Sequence, residues 1–345
     1  MPERDHTAVV YALDDNYAMQ AGVSLVSLFE NNRNLCFYVF LLSDHLSDIN
    51  RSRLKDTVEG YGNTIEFIEV YDIEKRAGVR LSLNNWGKMA YCRLFLPELV
   101  PEWVDKLIYI DADTLVLGSI SHLAEILDSE GFSSYYAAGC RDSSSMYKKL
   151  HGFRKSETYY NSGVLLINLK LWRLNGIQSA FIREIRRRNG RSIDPDQSYI
   201  NCLMINKIMM LPAKYNVMSL YYLDHDDYLR ISDYSENEAY SEEELAEAVA
   251  APVIVHFAGD RRYRPWYAGC RHCQNETWLE YLRKTEWKGF IPEEKAPEEE
   301  LSLAKKCKKA VVRRVVRYRF LASCYVRYRY GFKAVLYRRG WSYGS

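Results

Sequence analysis

The 345-residue sequence has no run of about 18 apolar residues, the length a membrane-spanning helix requires. Its first residues, Met1-Pro-Glu-Arg-Asp-His6, lack the basic-then-apolar order of a signal peptide, so cytoplasmic residence is expected. Glycine (18) and proline (9) are too sparse for a collagen-like or low-complexity chain, and 48% hydrophobic residues exclude a largely disordered one. Of eight cysteines only Cys270 and Cys273 form a C-x-x-C pair, whereas a zinc ribbon needs a second. Cys36, Cys92 and Cys202 sit inside apolar runs, which suits reduced, buried thiols rather than a disulfide framework. No internal repeat is present.

Acidic residues are missing altogether from positions 305–345, which carry thirteen Lys or Arg. Taking that +13 from the whole-chain +2 leaves −11 for residues 1–304, so an acidic body carries a strongly basic end. The segment Pro292–Glu300 reads as an acidic linker between them, within 291–304.

What is present along the body is an alternation of strand and helix. Thr7–Leu13, Cys36–Leu42 and Thr64–Val70 read as strands, and Tyr17–Asn32 and Leu46–Gly60 carry helical spacing. Such alternation predicts an α/β fold with a mainly parallel sheet. A helix is expected around Lys88–Leu96, stopped by Pro97, and a long basic helix over Lys170–Arg188; residues 224–250 read as an irregular acidic excursion. In parallel sheets ligands bind beyond the carboxyl ends of the strands. The polar residues at those places are Asp14-Asp15-Asn16, Asp111-Ala112-Asp113, Asp142 and His256, with Arg93 near the same edge.

Asp111-Ala112-Asp113 follows the apolar run Lys106–Ile110 and precedes Thr114–Leu117, so a turn between strands would project two carboxylates into a cleft. Hard oxygen ligands there suit Mg2+ or Mn2+ bridging a diphosphate; a solvated turn is the alternative. His256, at the end of Pro252–Val255, is the candidate third ligand and shifts the preference toward Mn2+. Asp14 and Asn16 are either an N-cap cluster or acceptors for a base and ribose, with Tyr17 available for stacking. Asp194 and Gln197 are spaced as a capping box, Asn161 before a glycine reads as a turn residue, and Arg93 suits either a carboxylate or a phosphate.

Together these blocks resemble the retaining glycosyltransferases of family 8, the group that includes bacterial lipopolysaccharide α-galactosyl- and α-glucosyltransferases. The signposts are Ala12-Leu-Asp14-Asp15-Asn16-Tyr17, Tyr91-Cys-Arg93, Asp111-Ala112-Asp113, Tyr160-Asn161-Ser-Gly163, Asp196-Gln197, and His256-Phe-Ala-Gly259 followed by Pro265-Trp266. The resemblance covers roughly residues 8–278 and implies a GT-A type, Rossmann-like nucleotide-sugar fold over residues 1–290. It further implies that Asp14, Tyr17, Ala12 and Asn16 hold the uridine of a UDP-hexose, with the Ala112 backbone near the ribose. Asp111, Asp113 and His256 would ligate Mn2+ (or Mg2+), and Gly259 would pass the diphosphate. Arg93, Asp142, Asn161 and Gln197 would address the donor sugar, with Asp196 close to the reacting carbon. Where family members carry Lys before Pro-Trp, this chain has Arg264 after a longer spacer, with Arg261 and Arg262 as competitors for phosphate.

The implied activity is retaining transfer of glucose or galactose to a carbohydrate or glycolipid hydroxyl in cell-surface glycan synthesis, with Asp196 and Gln197 at the reaction centre. A front-face route asks less of a neutral amide than a double displacement does. A non-catalytic sugar-nucleotide-binding protein would share the same donor residues. The tail interleaves Arg and Lys with Tyr, Phe and Val, which suits docking on an anionic membrane surface, placing the protein peripherally on its cytoplasmic face. A nucleic-acid-binding tail is the lesser alternative.

Overall fold

The computed structural model describes residues 6–82, 87–143, 145–154, 156–223, 240–292 and 294, and of the tail only Val311, Leu321, Cys324, Tyr325 and Tyr328. The expected linker 291–304 and membrane-association tail 305–345 otherwise lie outside the described residues. None of the described helices is long and apolar enough to cross a membrane.

Among the described residues ten strands are formed: β1 (Thr7–Leu13), β2 (Phe37–Ser43), β3 (Thr64–Glu69), β4 (Lys106–Ile110), β5 (Thr114–Val116), β6 (Ala137–Arg141), β7 (Tyr160–Asn168), β8 (Ile208–Met210), β9 (Val217–Met218) and β10 (Ile254–His256). Seven make one sheet in the order β3-β2-β1-β4-β7-β6-β8, and β5-β10-β9 make a second, smaller one. All neighbours in the large sheet are parallel except β7, which runs antiparallel to both β4 and β6. The alternation of strand and helix pointed to this α/β, mainly parallel sheet, and the antiparallel β7 makes it mixed.

Successive residues of the central strands serve opposite faces, which is why the runs read as continuous apolar stretches. Val10, Phe40, Tyr109 and Leu165 enter one buried cluster; Val9, Val39, Ile108 and Leu166 enter the other. Both faces are covered by helices, as parallel strands buried on two sides require. The strand order reverses at β1, which pairs β2 on one side and β4 on the other. A crevice opens beyond the carboxyl ends at such a switch point.

Several local expectations are corrected. Lys88–Phe95 winds as a 3-10 helix, and Pro97 stands in the first turn of the next helix, Leu96–Leu99, where a missing N–H costs nothing. The basic stretch is two helices, Leu169–Leu174 and Ile177–Arg187, broken at Gly176, whose φ of 58° is open to glycine. The excursion 224–250 ends in a regular helix, Glu242–Ala250, started by a capping box of Ser241 and Glu244; residues 224–239 lie outside the described ones. Asn161 belongs to β7 rather than to a turn. The described cysteines are free thiols, with Cys92, Cys140 and Cys202 buried.

Candidate active site

The end of β1 supplies the first wall. Asp14 caps the 3-10 turn Asp15–Tyr17, its Oδ1 accepting from the Asn16 backbone N–H at 3.0 Å. Asp14 is thus the N-cap of that turn, and it also lines the cleft. Asp15 turns away and accepts from Ser47 and Asn50, fixing the start of the helix Asp48–Gly60. Tyr17 meets Trp266 edge-on at 6.3 Å, and Arg264 Nη1 lies 3.4 Å from its hydroxyl.

The acidic turn between β4 and β5 is clamped from three sides. The Asp111 N–H donates to Gly163 O in β7, the Phe257 N–H donates to Asp113 O, and Thr114 Oγ1 donates to Asp111 O at 2.9 Å. A buried hydroxyl chain, Tyr11 to Ser24 to Thr114, ties the turn to β1 and the helix Ala18–Glu30. Antiparallel pairing of β10 with β5 sets His256 opposite Thr114. The imidazole therefore arrives beside the carboxylates: His256 Nε2 is 3.3 Å from Asp113 Oδ1 and 3.7 Å from Asp111 Oδ2. One ligand atom from each residue lies within 4.8 Å of the others, a group of this kind found nowhere else among the described residues. Cys270 and Cys273 join none.

Arg93 is buried and pinned between acids rather than presented to solvent. Its Nη2 donates to Asp111 Oδ1 at 2.8 Å, and its Nη1 donates to Ser162 O. Its Nε–H points to Ala90 O at 3.2 Å and leaves Asp196 Oδ2, 3.0 Å away, as an ion-pair partner. Tyr109 lies under the guanidinium at 4.2 Å and donates to Asp111 Oδ1. Burial works to raise the Asp111 carboxyl and prevails over Arg93 and His256. Burial opposes ionisation of Asp113 too, but His256 outweighs it and holds that carboxyl down at about 2. The imidazole is in turn lifted above its usual value, because Asp113 and Asp111 outweigh its own burial. Three carboxylates thus face one guanidinium and one imidazole, an acidic excess that a divalent cation would balance.

At the other end of the cleft lies a polar network. Asp142 Oδ2 accepts from Asn161 Nδ2 and Gln197 Nε2, each at 3.1 Å. Gln197 Oε1 accepts from the Ser162 N–H at 3.0 Å, so both ends of this amide are committed. The capping box is not formed. Asp194 precedes the helix Pro195–Leu203, but its carboxylate accepts from Tyr159 and Ser198 and faces His151 at 3.2 Å, leaving Gln197 free for Asp142.

These parts line one cleft of about 570 Å³, within the usual range for a small-ligand site. It gathers Ala12, Asp14, Tyr17, Arg93, Asp111, Ala112, Asp113, Asp142, Asn161, Asp196, Gln197, His256, Gly259 and Arg264. Asn16 is the exception: it is exposed and lies outside that lining. Of the competing arginines, Arg261 reaches the cleft, while Arg262 forks onto Asp260. Sequence reasoning missed Tyr147, Met218 and Leu220 in the wall, and Asn216 behind it, because none stands in a strand-end motif.

A Rossmann-like sheet with an acidic turn and an imidazole at its switch point defines a GT-A type glycosyltransferase fold. The sequence profile of glycosyl transferase family 8 matches residues 8–270, and the chain belongs to that family. General stress protein A of Bacillus subtilis is 27% identical over 287 residues, 81% of this chain and 94% of that protein. The lipopolysaccharide 1,2-glucosyltransferase of Escherichia coli is 25% identical over 303 residues, 86% and 83% of the two chains. The crystal structure of galactosyltransferase LgtC in complex with donor and acceptor sugar analogues superposes with a TM-score of 0.67 at 25% identity, covering 83% of this chain and all of that one. The protein is a glycosyltransferase.

The residues present suit a divalent cation for one further geometric reason. A Cβ on Gly163 would stand 2.2 Å from His256 Cε1 and 3.0 Å from Asp111 Oδ2, so only glycine lets the ring and carboxylate converge. Gly163→Ala is therefore expected to weaken divalent-cation binding to the free protein by at least about tenfold, read by isothermal titration calorimetry with Mn2+ as the probe, since shifts in ligand orientation cost that much. Unchanged Mn2+ affinity in a folded variant would remove His256 from the metal site.

Proposed function

We propose that the chain transfers glucose or galactose from a UDP-sugar to a carbohydrate hydroxyl, with retention of configuration and dependence on Mn2+, in the synthesis of a cell-surface glycan of lipopolysaccharide type. The observation that carries this is the junction, in one cleft, of an Asp111/Asp113/His256 ligand set with the Asp142–Asn161–Gln197 network. The glucosyl- and galactosyltransferase names of its relatives support the two candidate sugars.

In this reading Asp14 and Tyr17 hold the base, Ala12 and Ala112 flank the ribose, and Gly259 and Arg264 face the diphosphate. Bound Mn2+ would neutralise charge developing on the departing UDP, worth several kcal/mol against about 1 kcal/mol for a single sugar hydrogen bond. Arg93 acts one step back, by pairing with Asp111 and Asp196 and holding both in place. Asp142, Asn161 and Gln197 orient the sugar.

Retention follows most simply on the front face. Asp196 is ion-paired with Arg93, and Gln197 has both amide ends engaged, which disfavours either as the nucleophile. The acceptor oxygen bonds to that carbon on the face from which the phosphate oxygen leaves. The acceptor proton passes to the departing phosphate.

UDP release measured over a panel of UDP-sugars tests the activity without knowledge of the acceptor. Slow Mn2+-dependent hydrolysis of UDP-glucose or UDP-galactose is expected, abolished by chelation and lowered at least about 100-fold in Asp113→Asn, the scale of losing several kcal/mol. Release insensitive to metal would overturn the Mn2+ dependence, and none from any donor would overturn the assignment and leave a sugar-nucleotide-binding protein.

Peripheral association with an anionic membrane on its cytoplasmic face belongs to the same reading and rests on the thirteen basic residues of 305–345. The full chain should pellet with anionic vesicles in a salt-sensitive way, and a chain ending at residue 300 should not. Equal pelleting by both would sink it.

A further inference from the structure

Asn216 follows the short 3-10 turn Ala213–Tyr215, just before β9, and is almost fully buried, at 1% exposure. Its Oδ1 lies 3.0 Å from His256 Nδ1, and its Nδ2 donates to Asn161 Oδ1 at 2.8 Å. Asn161 Oδ1 also accepts from the Gly163 backbone N–H at 2.9 Å, while its Nδ2 donates to Asp142.

The sense of every link is fixed by chemistry. A backbone N–H can only donate, so the Asn161 oxygen faces Gly163. Asn216 must then turn its Nδ2 toward that oxygen, which leaves its own oxygen toward His256. An amide oxygen only accepts, so the imidazole carries its hydrogen on Nδ1 and keeps Nε2 for Asp111 and Asp113. The chain runs donor to acceptor from His256 through Asn216 and Asn161 to the carboxylate of Asp142, joining the two ends of the cleft.

We propose that Asn216 is a positioning residue that sets the tautomer and aim of His256 for a divalent cation, and that it couples this metal end of the site to recognition of the donor sugar at Asp142. The second half rests on the UDP-hexose reading above; the first does not. Removing the acceptor should lower metal affinity even with no nucleotide present, because the imidazole loses the bond that orients it. Keeping the acceptor while removing the donor to Asn161 should spare the metal and disturb the sugar end.

Two variants of the full-length protein separate these effects. Mn2+ binding is read by electron paramagnetic resonance on protein without nucleotide, and folding by thermal unfolding. Asn216→Leu, which lacks both groups, is expected to bind Mn2+ about 10–100-fold more weakly, the usual loss on removing an outer partner of a ligating histidine. Asn216→Asp retains an acceptor for Nδ1–H and is expected to hold Mn2+ like the wild type. With Mn2+ saturating, the Asp variant should bind UDP as before but UDP-glucose or UDP-galactose several-fold more weakly, about the loss of one hydrogen bond.

Wild-type Mn2+ affinity in Asn216→Leu, or an equal fall in both variants, would overturn the orienting role; so would a wild-type protein that binds no Mn2+. Should the Leu variant fail to fold, the Asp variant still decides: loss of Mn2+ binding refutes the orienting role, and undiminished UDP-sugar binding refutes the coupling. A wild type that binds Mn2+ in an Asn216-dependent way yet releases no UDP would contradict the proposed activity and leave the orienting role standing.

Discussion

Three carboxylates, those of Asp111, Asp113 and Asp196, are brought together at the end of β4 and the start of the helix Pro195–Leu203, Asp196 buried and the other two half-buried in the wall of the cleft. Among the described residues Arg93, itself buried, is the permanent cation in direct ion pairing with two of them, and removing one member of its buried pair with Asp196 leaves an uncompensated charge that costs roughly 3–5 kcal/mol. That constraint explains much of the surrounding architecture. Tyr109 packs beneath the guanidinium, Ser162 O accepts from it, and backbone bonds of Asp111 to Gly163 and of Phe257 to Asp113 fix the turn that carries both carboxylates. What Arg93 does not neutralise is aimed, with His256, at a common point.

The two sheets divide the labour that follows. The large one presents Asp14, Asp111 and Asp142 at strand ends, and its antiparallel member β7 threads Asn161, Ser162 and Gly163 between the acidic turn and the helix bearing Asp196 and Gln197. The small one exists to deliver a distant imidazole. Because β10 pairs with β5, residues 113 and 257 become hydrogen-bonded neighbours despite lying far apart in the chain. Family 8 membership and the GT-A fold supply the reaction class, glycosyl transfer; around Asp142 three side-chain amide groups and a carboxylate are joined by hydrogen bonds at the far end of the same cleft.

The strands and the first helices were legible because burial on both faces of a parallel sheet writes long apolar runs, and the strand-end rule then pointed to Asp14, Asp111, Asp142 and His256. Breaks were harder to see. The helical periodicity of 170–188 runs on through Gly176, where only a positive φ reveals the stop, and Pro97 signals a helix boundary without saying on which side the helix lies. Asp194 and Gln197 have capping-box spacing, yet Tyr159, Ser198 and His151 compete for the Asp194 carboxylate and win, an outcome set by tertiary neighbours. Asn216 carried no local signal at all. Its importance comes from what two remote strands place against it. Asn16, by contrast, stood inside a recognisable block and is nevertheless exposed beside the cleft, since the 3-10 turn points it outward.

The proposed chemistry depends on a single cation site shared by the acidic turn and the imidazole. Anomalous diffraction from a crystal grown with Mn2+ and UDP tests it most directly. One strong peak, touching a carboxylate oxygen of Asp111, a carboxylate oxygen of Asp113 and Nε2 of His256, is the predicted result. An ordered Mn2+ bound without His256, or held on another face of the molecule while this cleft stays empty, would contradict it.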